Sequence, residues 1–339
     1  MRKVSASKVA ALAASHFALL NAADAPILPM NSALRPGDIA LANTDRFTEA
    51  FFDEPLTTYS VGYRDPSDIA AALEFFAPET PTAPRFTYKT QTNAEEFLSE
   101  TAEDTRAIGG VFKRVEYTGS EVEARTYNKG LVIRVDISSE APGWEQRKTA
   151  KLLRRLLRNE LRRAIALLSA AATNTAKTWD TTAGKDPDQD VITDLIAGAD
   201  SSGIAPNRIG YGQTAWSKRG LSHRAQTSAG GFASATMTPD QVAGILGVDR
   251  VLVSKERYQS SASAKTQVLA NLVIMFNAMG GADLEDSSNI KRFVSDCVGG
   301  GRTRVYLQQV SPHLVDLSVE HNSLIAITST LGIRQLTIS

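Results

Sequence analysis

Gly210-Tyr211-Gly212-Gln213-Thr214-Ala215 is the stretch whose residue types come nearest to a known chemistry. Glycines at this spacing, between a strand-like and a helix-like run, let backbone approach a dinucleotide pyrophosphate at a helix N-terminus. The rest of that fingerprint is missing: no strand-helix-strand unit precedes it, and no acid follows about 20 residues later. The stretch reads as a tight turn. Asp186, Asp188 and Asp190 have the first-third-fifth spacing of a calcium loop, but Val191 and Ala197 stand where glycine and a closing glutamate are needed. They read as an acidic loop that caps the next helix. Gly184-Lys185 lacks the earlier glycine and the following hydroxyl of a phosphate loop. His16, His223, His313 and His321 show no metal-ligand spacing, and His321 reads as a surface residue near Glu320 or Asp316. Cys297 has no histidine near it in sequence and reads as inert packing. The expectation is therefore no enzyme, no cofactor and no metal.

The other feature with chemical content is charge. Residues 144–163 hold eight Lys or Arg and two acids, in a chain whose 37 basic and 37 acidic residues cancel. Lys148, Lys151, Arg154, Arg155, Arg158 and Arg162 flank an apolar stripe of Leu153, Leu157, Leu161, Ala164 and Leu168, widened by Leu152, Leu156 and Ile165. Such a helix could present its cations to phosphates, to acidic surfaces of other copies, or to water alone. It has no basic-region or helix-turn-helix pattern for reading base edges. Bulky apolar anchors opposite the charge, which a membrane surface would need, are lacking. Residues 95–104, EEFLSETAED, are the acidic counterpart: Glu95, Glu96, Glu100, Glu103 and Asp104 with no base.

The elements around these residues follow from punctuation and period. From Trp144 to Trp179 no Gly or Pro interrupts, which predicts a helix of about 35 residues, ~50 Å long, starting with Pro142 in its first turn. Its uncharged last third reads as buried between neighbouring subunits. Before it, VEARTY and LVIRVDIS flank Asn128-Lys129-Gly130, which predicts a polar hairpin turning there. Prolines 26, 29, 36, 55, 66, 78, 81 and 84 break residues 24–90 into an extended arm with a helical turn near 67–76. The first 25 residues read as an Ala-rich amphipathic helix, because Lys8 and Ser15-His16 interrupt any leader-like apolar core.

After the helix, helical and strand signals alternate: a helix near 188–199, a strand at 208–211, a helix carrying Trp216 and Leu221, and a loop at 222–236. Thr238 as N-cap, Pro239 at the first position, Gln241 as capping-box partner and Gly247 as terminator define a short helix before a strand at 251–253. A buried strand follows at 266–279, and four β runs fill 302–338. Hydrophobic content of 42%, charge of 22% and a single cysteine fit a globular protein without disulfides or multi-thiolate metal sites. No apolar run reaches the ~18 residues of a membrane span.

Taken in order, a proline-broken arm, an acidic lead-in, a charged hairpin, an overlong helix, an α/β segment and a β-rich return resemble the major capsid protein of tailed bacteriophages, the Hong Kong 97-type shell fold. The local likeness is strongest in IAPNRIGYGQTAWSKRGL and MTPDQVAGILGVDRVLVSKERY, which look like A-domain units, and in the hairpin that runs into the helix. The resemblance implies an α+β fold with residues 1–84 as N-terminal helix and N-arm, and 85–141 as E-loop region. It further implies 142–187 as the P-domain spine helix, 188–300 as A-domain, and 301–339 as a β return.

It implies a shell protein that assembles with itself into pentamers and hexamers of an icosahedral or related shell. N-arm and E-loop would reach neighbours, double-stranded DNA would be packaged non-specifically, and scaffolding, portal or decoration proteins are further partners. The location implied is the virion, assembled in the host cytoplasm. A cellular nanocompartment shell of the encapsulin type shares that fold. A nucleotide-binding enzyme using the Gly210/Gly212 turn and a free DNA-binding protein are the readings from other classes.

Overall fold

The computed structural model describes residues 51–62, 69–90, 106, 108–111, 120–226, 228–281 and 286–339. The acidic residues 95–104 and residues 1–50, for which an N-terminal helix and part of an extended arm are expected, lie outside the described residues.

The 3.6-residue stripe makes α3, Trp144–Ala171, 28 residues or ~42 Å. It starts on Gly143, in the left-handed region at φ 75°, so Pro142 stands outside the helix. It also ends before Trp179, where it was expected to run. Thr173 and Thr175 favour extended backbone, and Thr173–Lys177 becomes β5, paired parallel with β14 (Arg334–Ile338). Among the described residues two α-helices precede α3, α1 (Glu54–Gly62) and α2 (Ile69–Phe76). The second is the helical turn expected near 67–76, but it is packed into the body rather than carried on an extended arm: Ile69, Phe75 and Phe76 are fully buried against Leu161, Ala164 and Leu168 of α3. One face of the uncharged end of α3 is thus covered by its own chain.

One sheet lies under α3. Its axis is β13, Leu314–Ile327, a single 14-residue strand where two had been expected. Asn322 pairs with both Asn128 and Ser295, and Val319 with both Leu131 and Val305. Hence β4 (Tyr127–Asp136) runs along one edge of β13. Strands β11 (Ile290–Ser295) and β12 (Thr303–Gln309) lie end to end along the other. Strand β1 (Glu79–Pro81) pairs parallel with β11. Leu152, Leu153 and Leu156 of α3 pack on Val305, Leu317 and Val319, with Leu56 of α1 closing the layer. Each such leucine contributes roughly 1.5–3 kcal/mol by leaving water.

Asn128-Lys129-Gly130 is not a turn. It lies inside β4, in register with Asn322, His321 and Glu320, and Gly130 keeps negative φ. Internal partners for the Asn128 and Lys129 side chains hold the segment straight. The antiparallel pair is instead β2 (Arg85–Thr90) with β3 (Ser120–Arg125), whose foot rests Phe86 and Tyr88 on Phe293 at 4.6 and 5.1 Å.

The second sheet has the order β5, β14, β10 (Leu272–Phe276), β6 (Arg208–Gly212), β7 (Arg250–Ser254). Helices α4 (Pro187–Ser202), α5 (Gln213–Ala225) and α7 (Pro239–Leu246) cover it, burying Trp179, Val191, Tyr211, Ala215 and Val242. The predicted caps of α7 form: Thr238 and Gln241 make the reciprocal box, and Gly247 terminates at φ 68°. The stretch 222–236 is largely helical rather than a loop. It holds the end of α5 and α6 (Ala229–Ala235), capped by Ser228. A small hairpin of β8 (Arg257–Gln259) and β9 (Lys265–Gln267) leaves β7 and returns to β10.

Candidate assembly and anion-facing surfaces

The glycines of the nucleotide-like turn are occupied by the protein itself. A Cβ on Gly210 would lie 2.5 Å from the Phe76 ring, and one on Gly212 1.9 Å from the Ala270 carbonyl oxygen. That carbonyl accepts the backbone N–H of Ala215. The small residues serve close packing of β6 on its surroundings, and a pyrophosphate has no approach there.

The three aspartates cap and brace α4. Asp186 accepts from the N–H groups of Asp188 and Gln189 at 3.1 and 3.2 Å. Asp190 takes Lys177 Nζ at 2.8 Å and the Trp179 indole at 2.9 Å. Asp188 is not a solvated residue. It holds the Arg219 guanidinium through two bonds of 2.7 Å, and His223 Nε2 stands 3.2 Å away. Burial alone would raise its pKa, but the hydrogen bonds and charges of His223 and Arg219 bring it down to about 2. Cys297 is buried, and burial pushes its thiol up to about 12, which suppresses thiolate chemistry. Among the described residues no group of His, Cys, Asp and Glu could hold a metal ion. His313 is exposed.

His321 departs from expectation. It is half-buried beside Ser323 Oγ at 3.2 Å and Glu160 Oε1 at 3.9 Å. Glu160 is the residue that sequence reading overlooked. It is 1% exposed beneath α3, with Lys129 Nζ and Arg163 Nη1 each 2.9 Å from Oε1, and Ser323 donating to Oε2 at 2.9 Å. Burial would raise its pKa; His321 and the Lys129 charge outweigh that and hold it well below the usual carboxylate range. A signal existed: Glu160 sits at four-residue spacing between Leu156 and Ala164, on the apolar stripe itself. Next to it, Glu320 is held by Asn128 and Tyr306 at 2.7 and 2.6 Å, and Asp316 by Arg134 in a bidentate pair.

The six predicted cations of α3 separate by environment. Lys148 pairs with Glu140 at 2.5 Å, and Arg158 with Glu256 at 3.5 Å. Arg162 stacks its guanidinium 3.7 Å over the Tyr258 ring. Arg154 is half-buried and has interactions of its own. Lys151 and Arg155 are exposed, as is Arg147. The predicted acidic set Glu95, Glu96, Glu100, Glu103 and Asp104 falls outside the described residues. No helix among the described residues is long and apolar enough to cross a membrane.

This architecture recurs in a solved structure of a phage-related protein from Bordetella bronchiseptica RB50. The TM-score is 0.63 at 20% identity, covering 84% of this chain and 97% of that one. The two chains share one fold. It is the α+β, Hong Kong 97-type fold that the order of elements led us to expect. Looser likenesses include a Microbacterium phage Oxtober96 structure (TM-score 0.48, 12% identity, 82% and 93% covered). Another is the holo-SrpI encapsulin complex from Synechococcus elongatus PCC 7942 (0.45, 13%, 90% and 96%). At scores under 0.5 these two add nothing to the fold assignment. No protein-family model matches the chain, and no curated protein matches it significantly.

Proposed function

We propose that the chain is the subunit of a closed protein shell, a major capsid protein. The observation that carries this is the fold shared with a phage-related protein over nearly the full length of that protein. Two features of the chain support it. The one turn that resembled a nucleotide site is filled by Phe76 and Ala270. In addition, the helices of the second-sheet unit leave large apolar side chains exposed, Ile196, Phe232 and Ile245 by more than half and Leu221 by somewhat less. Surfaces of this kind suit contact with further copies.

In this reading pentamers and hexamers form through the second-sheet unit, and the N-arm and the E-loop reach neighbouring subunits. The shell encloses double-stranded DNA without sequence preference. Scaffolding, portal or decoration proteins join it in the virion, after assembly in the host cytoplasm. The acidic run 95–104 meets a basic surface of an adjacent copy. Reversing Glu96, Glu100 and Glu103 to Lys should then impair assembly and leave the melting temperature of the unassembled chain unchanged; normal particles from that variant would remove this contact from the reading. The reading as a whole is tested by expressing the chain and examining it by size exclusion and electron microscopy. Uniform hollow particles, capsomers or tubes are expected, and a monomer persisting at the highest soluble concentration would overturn it.

A further inference from the structure

The cations of α3 fall on one line. At 100° per residue, Arg147, Lys151, Arg155, Arg158 and Arg162 lie within about 80° of one another around the helix. The C-terminal half of this line is occupied by its own chain, through Glu256 on Arg158 and the Tyr258 ring on Arg162. The N-terminal half is open. Arg147, Lys151 and Arg155 are exposed, and among the described residues none of them has a carboxylate within ion-pair distance. Arg147 donates to the carbonyl oxygens of Ala141 and Pro142, both at 2.9 Å, which fixes its guanidinium without neutralising it. The nearby acids offer no relief: Lys148 holds Glu140, and Glu145 stands on the opposite side of the helix, about 160° from Arg147.

We propose that Arg147, Lys151 and Arg155 form a docking stripe for the phosphate backbone of double-stranded nucleic acid, recognised by charge and not by sequence. It deepens the shell reading and rests on it for the presence of that nucleic acid. The spacing fits. Successive cations rise about 6 Å and the stripe spans ~12 Å, and a duplex offers one negative charge per ~1.7 Å of axis along such a window. Two other anionic partners fit the surroundings less well. Helix α3 exposes no large apolar side chain, so a lipid surface or an amphipathic acidic peptide finds nothing to anchor on. The occupied half shows what the line attracts, a carboxylate oxygen and the negative face of a ring, and the open half continues it without a break.

The test is binding of the full chain to a short random-sequence DNA duplex by fluorescence anisotropy across a salt series. Three phosphate contacts contribute about 2.7 to the slope of log K against log salt. The variant Arg147→Gln/Lys151→Gln/Arg155→Gln should lose that much slope, equally on two unrelated sequences. Arg158→Gln/Arg162→Gln should keep the wild-type slope. Equal slopes for wild type and the stripe variant, an equal loss in both variants, or tighter binding of polyglutamate than of DNA would each overturn the proposal. Particle formation, scored by microscopy on the same preparations, separates the two readings. Normal particles with an unaltered slope in the stripe variant defeat the stripe alone, whereas a wild-type chain that never assembles defeats the shell.

Discussion

Replacing Glu160 by Gln probes the joint between the long helix and the sheet beneath it. Gln keeps the shape and can still accept the Ser323 hydroxyl, but it removes a negative charge that stands 2.9 Å from both Lys129 and Arg163. Those cations are only 11% and 21% exposed, so water restores little of what they lose. Breaking a buried pair from one side costs about 3–5 kcal/mol. At ~2–4 °C per kcal/mol for a body of this size, the melting temperature should fall by roughly 6–20 °C. The assay is guanidinium and thermal unfolding of the unassembled chain, followed by fluorescence of Trp144 and Trp179, both buried. Adding Lys129→Met should return part of the loss, because one of the cations facing the lost charge is then gone; a coupling of about 0.5–3 kcal/mol is expected from the cycle. The depressed pKa of Glu160 means its contribution persists below the ordinary carboxylate range and fails only as pH falls through that lowered value. A loss under ~1 kcal/mol, the scale of an exposed surface pair, would refute the claim that this charge is buried and bound.

Asp188, brought down to about 2 in the folded chain, should contribute about 2 kcal/mol above its unfolded pKa near 4. That part should vanish as pH falls from about 4 to about 2, so the stability gap between wild type and Asp188→Asn should narrow by that amount; a gap constant across that window would refute the assignment. Gly212→Ala places a methyl on the Ala270 carbonyl; it should yield insoluble or strongly destabilised protein, and a well-folded variant would show that the turn is not closed by packing. Thr238→Ala removes the cap of α7 and should cost about 0.5–2 kcal/mol in unfolding experiments; no measurable loss would mean the box contributes nothing in context.

What could be read from sequence was whatever a local pattern decides. The box of Thr238 and Gln241, the stop at Gly247 and the apolar stripe of α3 depend on residues within one or two turns, and all formed. What failed depended on partners far along the chain. Asn128-Lys129-Gly130 looks like a turn because nothing local reveals β13, almost 200 residues away, to which it pairs. Thr173–Lys177 looked helical until β14 offered a parallel edge. The candidate cations show the same division. Charge and period named Lys148, Arg158 and Arg162 alongside Lys151 and Arg155, but Glu140, Glu256 and Tyr258 decide which are already engaged. Glu160 was readable in principle, as an acid on an apolar stripe, and was passed over among so many bases.

The distribution of engaged and open charge bears on why a neutral chain carries so basic a helix. Segregated acidic and basic stretches invite the view that copies neutralise one another. Within this chain, however, much of the neutralising is internal. Glu160 answers Lys129 and Arg163, Asp316 answers Arg134, Glu256 answers Arg158, and Asp188 answers Arg219. Apart from Arg163 with Glu160, both on α3, each of these pairs joins two segments that must hold a fixed relation: helix to sheet, strand to strand, loop to helix, helix to helix. Such pairs fix geometry more than they add net stability, since desolvation offsets most of their attraction. A charge used this way is not available to a partner, so counting bases on α3 overstates its attraction for any anion. Only what remains after internal pairing can act between molecules, and on the line running along α3 that remainder is Arg147, Lys151 and Arg155. Binding that depends on those three and ignores Arg158 and Arg162 is what this division of labour requires.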